Sequence, residues 1–68
     1  MFNRNTVKVG AWVAIRDGAA ISYSVNGRTD AEFHCGEETS GFDLVFDPEP
    51  LREFVRAATQ ALQDLDAR

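Results

Sequence analysis

The chain is short of the residues that most often hold a small domain together. It has one cysteine, one histidine and two prolines. One cysteine excludes an intrachain disulfide, and one cysteine with one histidine cannot furnish a four-ligand Cys/His zinc site. Long apolar runs are missing too. The longest, residues 11–15, is far below the ~20 residues that span a bilayer. Met1-Phe2-Asn3-Arg4-Asn5 has no apolar stretch behind its arginine, so it does not read as a signal peptide. A lone thiol without a secretory leader fits a reducing, cytoplasmic setting. Bases are scarce: seven against eleven acids, for a net charge of −4. Lys8, Arg16, Arg28, Arg52 and Arg56 are scattered among carboxylates, without the basic stripe that neutralises phosphates. Direct nucleic-acid binding is not expected, and an anionic membrane surface is disfavoured for the same reason. No phosphate-cradling glycine spacing, repeat or low-complexity tract occurs.

Sixty-eight residues make one domain, 1–68. A chain of this size buries only about 60% of its unfolded surface, so its own core is marginal. With disulfide and zinc removed, self-association is the remaining supplement, and a homodimer is the expectation.

What the chain does have is alternation. Val7, Val9, Ala11, Val13 and Ile15 oppose Lys8, Gly10, Trp12 and Ala14. Ala19, Ile21, Tyr23 and Val25 oppose Ala20, Ser22 and Ser24. Ala31, Phe33 and Cys35 oppose Asp30, Glu32 and His34, and Phe42, Leu44 and Phe46 oppose Asp43 and Val45. Period-two patterning predicts half-buried strands over about 6–15, 19–25, 29–35 and 42–46. Asp17-Gly18 and Asn26-Gly27 suggest two-residue hairpin loops, but these would put successive apolar sets on opposite faces. Three-residue loops at 16–18 and 25–27 keep one apolar face. They pair Val13 with Ile21, Ile21 with Ala31 and Tyr23 with Thr29. Across the acidic loop 36–41, Cys35 pairs with Phe42, Phe33 with Leu44 and Ala31 with Phe46.

Asp47-Pro48-Glu49-Pro50 opens a helix: Asp47 suits the N-cap, Pro48 the first helical position, and Glu49 the positive end of the dipole. Leu51, Phe54, Val55, Ala58, Leu62 and Leu65 form one apolar stripe, giving a helix over about 48–65 that frays after Leu65. The expected architecture is α+β: a four-stranded antiparallel meander with one C-terminal helix packed on one face, ββββα.

His34 and Cys35 are adjacent on a strand and point to opposite faces, which denies them a thiolate–imidazole dyad. Cys35 reads as a small core residue. On the outer face the register gathers Asp30, Glu32, Asp43 and Asp47, with His34 opposite Asp43. This is a solvated acidic face suited to a basic partner. A metal-dependent or hydrolytic site using Asp30, Glu32, His34 and Asp43 is the alternative from another class, and it requires those groups to converge. Trp12 falls on the same face among small neighbours, and Val45 lies on that face too. Exposed tryptophan is enriched at binding hot spots. The interface candidates are Trp12, Val45, Ala14, Ser22, Glu32 and His34, and the free edges of the first and last strands could recruit another strand.

Two segments, Val13-Ala14-Ile15-Arg16-Asp17 and Leu44-Val45-Phe46-Asp47-Pro48-Glu49-Pro50-Leu51-Arg52-Glu53-Phe54-Val55-Arg56, resemble the Arg-Asp strand and closing strand-Pro-helix of the BldB-like family of small actinobacterial regulatory proteins. The family usually has Trp where Leu51 stands. The resemblance implies a non-enzymatic regulator that acts by contacting other proteins, without catalytic residues. The composite expectation is a cytoplasmic protein–protein interaction module, without catalytic residues, metal or other cofactor, and working as a homodimer through its outer sheet face or an edge. An accessory or antitoxin-like subunit of a larger complex is the variant with a different partner.

Overall fold

Alternating side chains produce three strands. β1 (Ile21–Asn26), β2 (Asp30–Cys35) and β3 (Phe42–Phe46) make an antiparallel sheet in the order β1-β2-β3, and α1 (Pro48–Asp66) follows. The structure, a computed structural model, describes residues 12–68. The class is α+β as expected, with βββα in place of ββββα among the described residues.

The first correction concerns the last four residues of the strand expected over 6–15. Its residues 6–11 lie outside the described residues, and 12–15 are in no strand. The turn after it does form: the Ala19 N–H donates to the Arg16 carbonyl at 3.1 Å and Gly18 has φ +90°. Alternation reports which side chains want burial. It does not report that a neighbouring backbone is there to pair with.

The β1–β2 register is the second correction. Ile21 faces Cys35, Tyr23 faces Phe33, Val25 faces Ala31 and Asn26 faces Asp30. The loop is 27–29, closed by the Thr29 N–H on the Asn26 carbonyl at 3.0 Å. This is four residues from the expected pairing, an even number, so the apolar face is unchanged. The observed register gives Phe33 a partner ring in Tyr23, with centroids 6.3 Å apart. It also lets Asn26 Nδ2 donate to Asp30 Oδ1 at 2.7 Å. Pairing Ile21 with Ala31 would have left Phe33 and Cys35 without cross-strand neighbours on β1.

Between β2 and β3 the expected pairs are all present: Ala31 with Phe46, Phe33 with Leu44, His34 with Asp43, Cys35 with Phe42. Loop 36–41 closes through a neck of two glycines. Gly36 and Gly41 have φ +114° and +108°. A Cβ on Gly41 would lie 2.3 Å from the Cys35 carbonyl oxygen. Both backbone hand and space demand glycine there.

Asp47 is the N-cap, with φ −70° and ψ 160°, but its side chain makes no capping bond. The Leu51 N–H reaches the Asp47 carbonyl at 3.1 Å. α1 runs to Asp66, one residue beyond the expected end, and the Ala67 N–H caps it on the Gln63 carbonyl. Glu49–Arg52 and Glu53–Arg56 pair along its wet side.

The third correction concerns where α1 lies. Its apolar stripe predicts a helix laid across the sheet, yet the ring contacts are confined to its start. Phe46 meets Phe33 edge-on at 5.9 Å and stacks on Phe54 at 5.2 Å. Leu62 and Leu65 remain 59% and 66% exposed. The reason is geometric. Nineteen residues at 1.5 Å each make a helix of ~28 Å, whereas three strands ~4.8 Å apart span only ~10 Å between outer axes, and six residues run ~20 Å along a strand. Leu62 and Leu65 sit ~21 and ~25 Å from the helix start, past the sheet in either direction. Ala31 and Cys35 are the buried apolar residues among those described.

Gly41→Ala should destabilise the fold by about 1–3 kcal/mol or more, because it adds a backbone clash to an unfavourable φ. Gly18→Ala, whose methyl would meet nothing within 4 Å, should cost less. Paired thermal unfolding curves measure this, and equal losses would contradict the neck.

Candidate functional site

The sheet offers two faces of opposite chemistry. Residues Ser22, Ser24, Glu32, His34, Asp43 and Val45 lie on the outer face because they alternate with the apolar set. The register lines them into two rows, Ser22–His34–Asp43 and Ser24–Glu32–Val45. Four interface candidates, Ser22, Glu32, His34 and Val45, are thereby brought together. A shallow cavity of about 130 Å³ lies among Ser22, Tyr23, Ser24, Glu32, His34 and Asp43. Trp12 is 84% exposed. Among the described residues no strand carries Trp12 or Ala14 onto the outer face that holds Val45. Ala14 instead lines a cavity at the end of the sheet with Cys35, Gly36 and Phe42.

His34 is the most tightly held polar group. Its Nδ1 is 2.6 Å from Asp43 Oδ1, and its Nε2 is 2.6 Å from the Glu37 carbonyl. A carbonyl and a carboxylate can only accept, so both ring nitrogens must donate, and the arrangement is complete only for imidazolium. The Glu37 carbonyl, then the Asp43 hydrogen bond, raise the His34 pKa above the ordinary 6.5, while partial burial works against them. The ring thus ties β2 to β3 and to loop 36–41.

The acidic groups do not converge. Asn26 Nδ2 bridges Asp30 Oδ1 at 2.7 Å and Glu32 Oε2 at 3.2 Å, while Asp43 is engaged by His34. The four groups of the metal or hydrolytic reading therefore divide into two pairs. Among the described residues no group of three or more His, Cys, Asp or Glu side chains is placed to hold a metal ion. Cys35 is buried on the inner face, opposite His34, as strand geometry requires.

The inner face is the feature that sequence reasoning missed, because it supposed that α1 covered it. Ile21, Tyr23 and Val25 on β1 are 59%, 72% and 60% exposed. An apolar groove of about 160 Å³ runs between sheet and helix, lined by Ile21, Phe33, Cys35, Leu44, Phe46 and Phe54, with Ile15 at one end. The signal was available: the helix length and strand count already imply an overhang. Among the described residues, no helix is long and apolar enough to cross a membrane.

An NMR titration of the full chain should find His34 titrating above 6.5, and Asp43→Asn should lower that value. The sign follows from the raised folded-state pKa: the stabilisation is fully present below about 6.5 and is lost as pH rises through the folded value. Amide exchange in loop 36–41 should quicken over the same interval. An unshifted His34, or exchange indifferent to pH beyond the intrinsic rate, would contradict the clamp. In comparisons with known proteins, no family model, no curated protein and no solved structure matches this chain.

Proposed function

We propose that this chain is a small, non-enzymatic protein–protein interaction module that works as a homodimer. The observation that carries the reading is the uncovered apolar surface. Seven large apolar residues of the inner sheet face and α1 (Ile21, Tyr23, Val25, Leu44, Phe54, Leu62 and Leu65) keep between 36% and 72% of their surface exposed. At ~150–200 Å² per large side chain this is roughly 700 Å². The largest apolar patch of an ordinary monomer is about 300–600 Å², and a standard interface takes about 800 Å² from each partner. The area supports an assembly surface, and it moves self-association from the outer face to the inner one.

The outer face then remains for a second protein. Val45 is 60% exposed in a setting of Glu32, Asp43 and His34, which suits a basic partner with a small apolar contact. Trp12 and Ala14, ahead of β1, are further contact candidates. A cytoplasmic accessory or antitoxin-like subunit is the same reading with that partner named. The resemblance to BldB-like regulators points to the same class. Asp30 and Glu32 share the Asn26 amide while His34 engages Asp43, which gives the hydrolytic alternative no common site.

Sedimentation equilibrium of the full chain from 1 to 100 μM, concentrations chosen to bracket a dissociation constant of about 10 μM or tighter, should find a dimer. A cooperatively folded monomer throughout that range would overturn the reading. Trp12→Ala should leave the fold intact, and any loss of association it causes would mark the segment before β1 as part of the contact.

A further inference from the structure

The inner face needs an occupant, and the junction ahead of α1 limits what that can be. β3 ends at Phe46 and α1 begins at Pro48, leaving Asp47 as the only link. Asp47 precedes one proline and Glu49 another. A residue before proline is held out of its freer conformations, and each proline fixes its own φ. The helix direction is therefore set where it leaves the sheet, with Phe54 stacked on Phe46. The half of α1 bearing Leu62 and Leu65 projects beyond the chain's own sheet. Residues 1–11 lie outside the described residues, and eleven residues are few to cover both a three-stranded face and a helix stripe.

We propose that the occupant is a second copy of this chain, with the C-terminal half of each α1 seated on the inner sheet face of the other. This rests on the interaction-module reading and gives it a geometry. The contact is self-complementary, as a two-fold dimer requires: a protruding apolar helix half and an open apolar sheet occur on the same molecule. The groove of about 160 Å³ among Ile21, Phe33, Cys35, Leu44 and Phe54 is the size that takes one large side chain or a benzene-sized group, and Leu62 of the second copy is assigned to it. The combined uncovered area is close to what each half of a stable dimer contributes. Charge agrees. α1 ends in Asp64 and Asp66 with no basic residue in its last turn. Arg16 and Arg28, in the turns flanking β1, take no part in the ion pairs among the described residues. These turns lie at opposite ends of β1, and a cation near a helix C-terminus is stabilising, so an acidic helix end seated beside one of them would be favoured.

The single natural cysteine makes the test direct. The full chain carrying Leu62→Cys is equilibrated in a glutathione buffer, and its disulfides are mapped by peptide mass spectrometry. Reciprocal seating expects Cys35 of one copy joined to position 62 of the other, in a covalent dimer. The same substitution with Cys35→Ser should lose that product. A Cys35–62 disulfide within one chain would overturn the proposal, because the helix would then close on its own sheet. A dimer by sedimentation that forms no 35–62 link would overturn this geometry while leaving the module reading standing. A monomer by sedimentation would remove both. Leu62→Asp gives a second readout: it should weaken dimerisation at least 100-fold, whereas Val45→Asp on the outer face should change it less than threefold. The opposite order would overturn the proposal.

Discussion

The contact between Phe46 and Phe54, made across a single linking residue, is the constraint from which the rest of the architecture follows. It fixes the start of α1 against the end of β3 and sets the direction in which the helix leaves. Without intervening loop, and with prolines at positions 48 and 50, the helix cannot swing to find better cover. A longer, glycine-containing link would let an amphipathic helix settle flat on its own sheet, as isolated small domains do when they have three packed strands. Here the aromatic series Tyr23–Phe33–Phe46–Phe54 closes one corner of the molecule and leaves the opposite corner open.

The scale of that opening decides how it is read. Seven large apolar residues of the inner face and α1 keep 36–72% of their surface exposed, and at about 25 cal/mol per Å² burying that surface is the main favourable term an association could draw on. Among the described residues the fully buried apolar side chains are Ala31 and Cys35, with Phe33, Phe42, Phe46 and Leu51 half-buried. The described part of a single copy therefore buries little apolar surface of its own. If the chain dimerises as proposed, part of its stability should depend on protomer concentration.

Parity was the most legible property of the sequence. The alternation of Ile21, Tyr23 and Val25, of Ala31, Phe33 and Cys35, and of Phe42, Leu44 and Phe46 identifies the apolar face correctly. The β2–β3 register, the helix bounds to within a residue and the His34–Asp43 pairing also follow from residues alone. Register between β1 and β2 was not legible, because any even shift satisfies the same burial pattern. There the choice fell to the Tyr23–Phe33 contact and the Asn26–Asp30 hydrogen bond, which depend on particular side chains. Pairing of residues 12–15 was not legible either, since alternation is shared by a paired strand and an extended segment. The open inner face was hidden by an assumption: an amphipathic stripe says that a helix wants cover, and it does not say which surface supplies it. Comparing helix length with sheet width would have exposed the mismatch.

Electrostatics gives an independent reason to prefer the inner face for self-association. With eleven acids against seven bases, two copies repel one another at long range. Docking them through their outer faces would set Asp30, Glu32 and Asp43 of one against the same residues of the other. Like charges so juxtaposed cost several kcal/mol across an interface. The sheet keeps those carboxylates on the side away from the apolar groove, because successive side chains on a strand point to opposite faces. An approach through the inner faces leaves them outward in water, separated by two sheets and a helix layer and screened over about 10 Å at moderate salt. The same alternation that builds the sheet thus assigns attraction to one side and repulsion between copies to the other. Residual repulsion predicts that association strengthens with added salt, the reverse of a dimer held by ion pairs. Sedimentation at 50 and 500 mM sodium chloride, where the screening length falls from about 14 to about 4 Å, should therefore give the tighter dimer at the higher concentration. Weakening at high salt would instead mean that attraction between opposite charges outweighs the repulsion between copies.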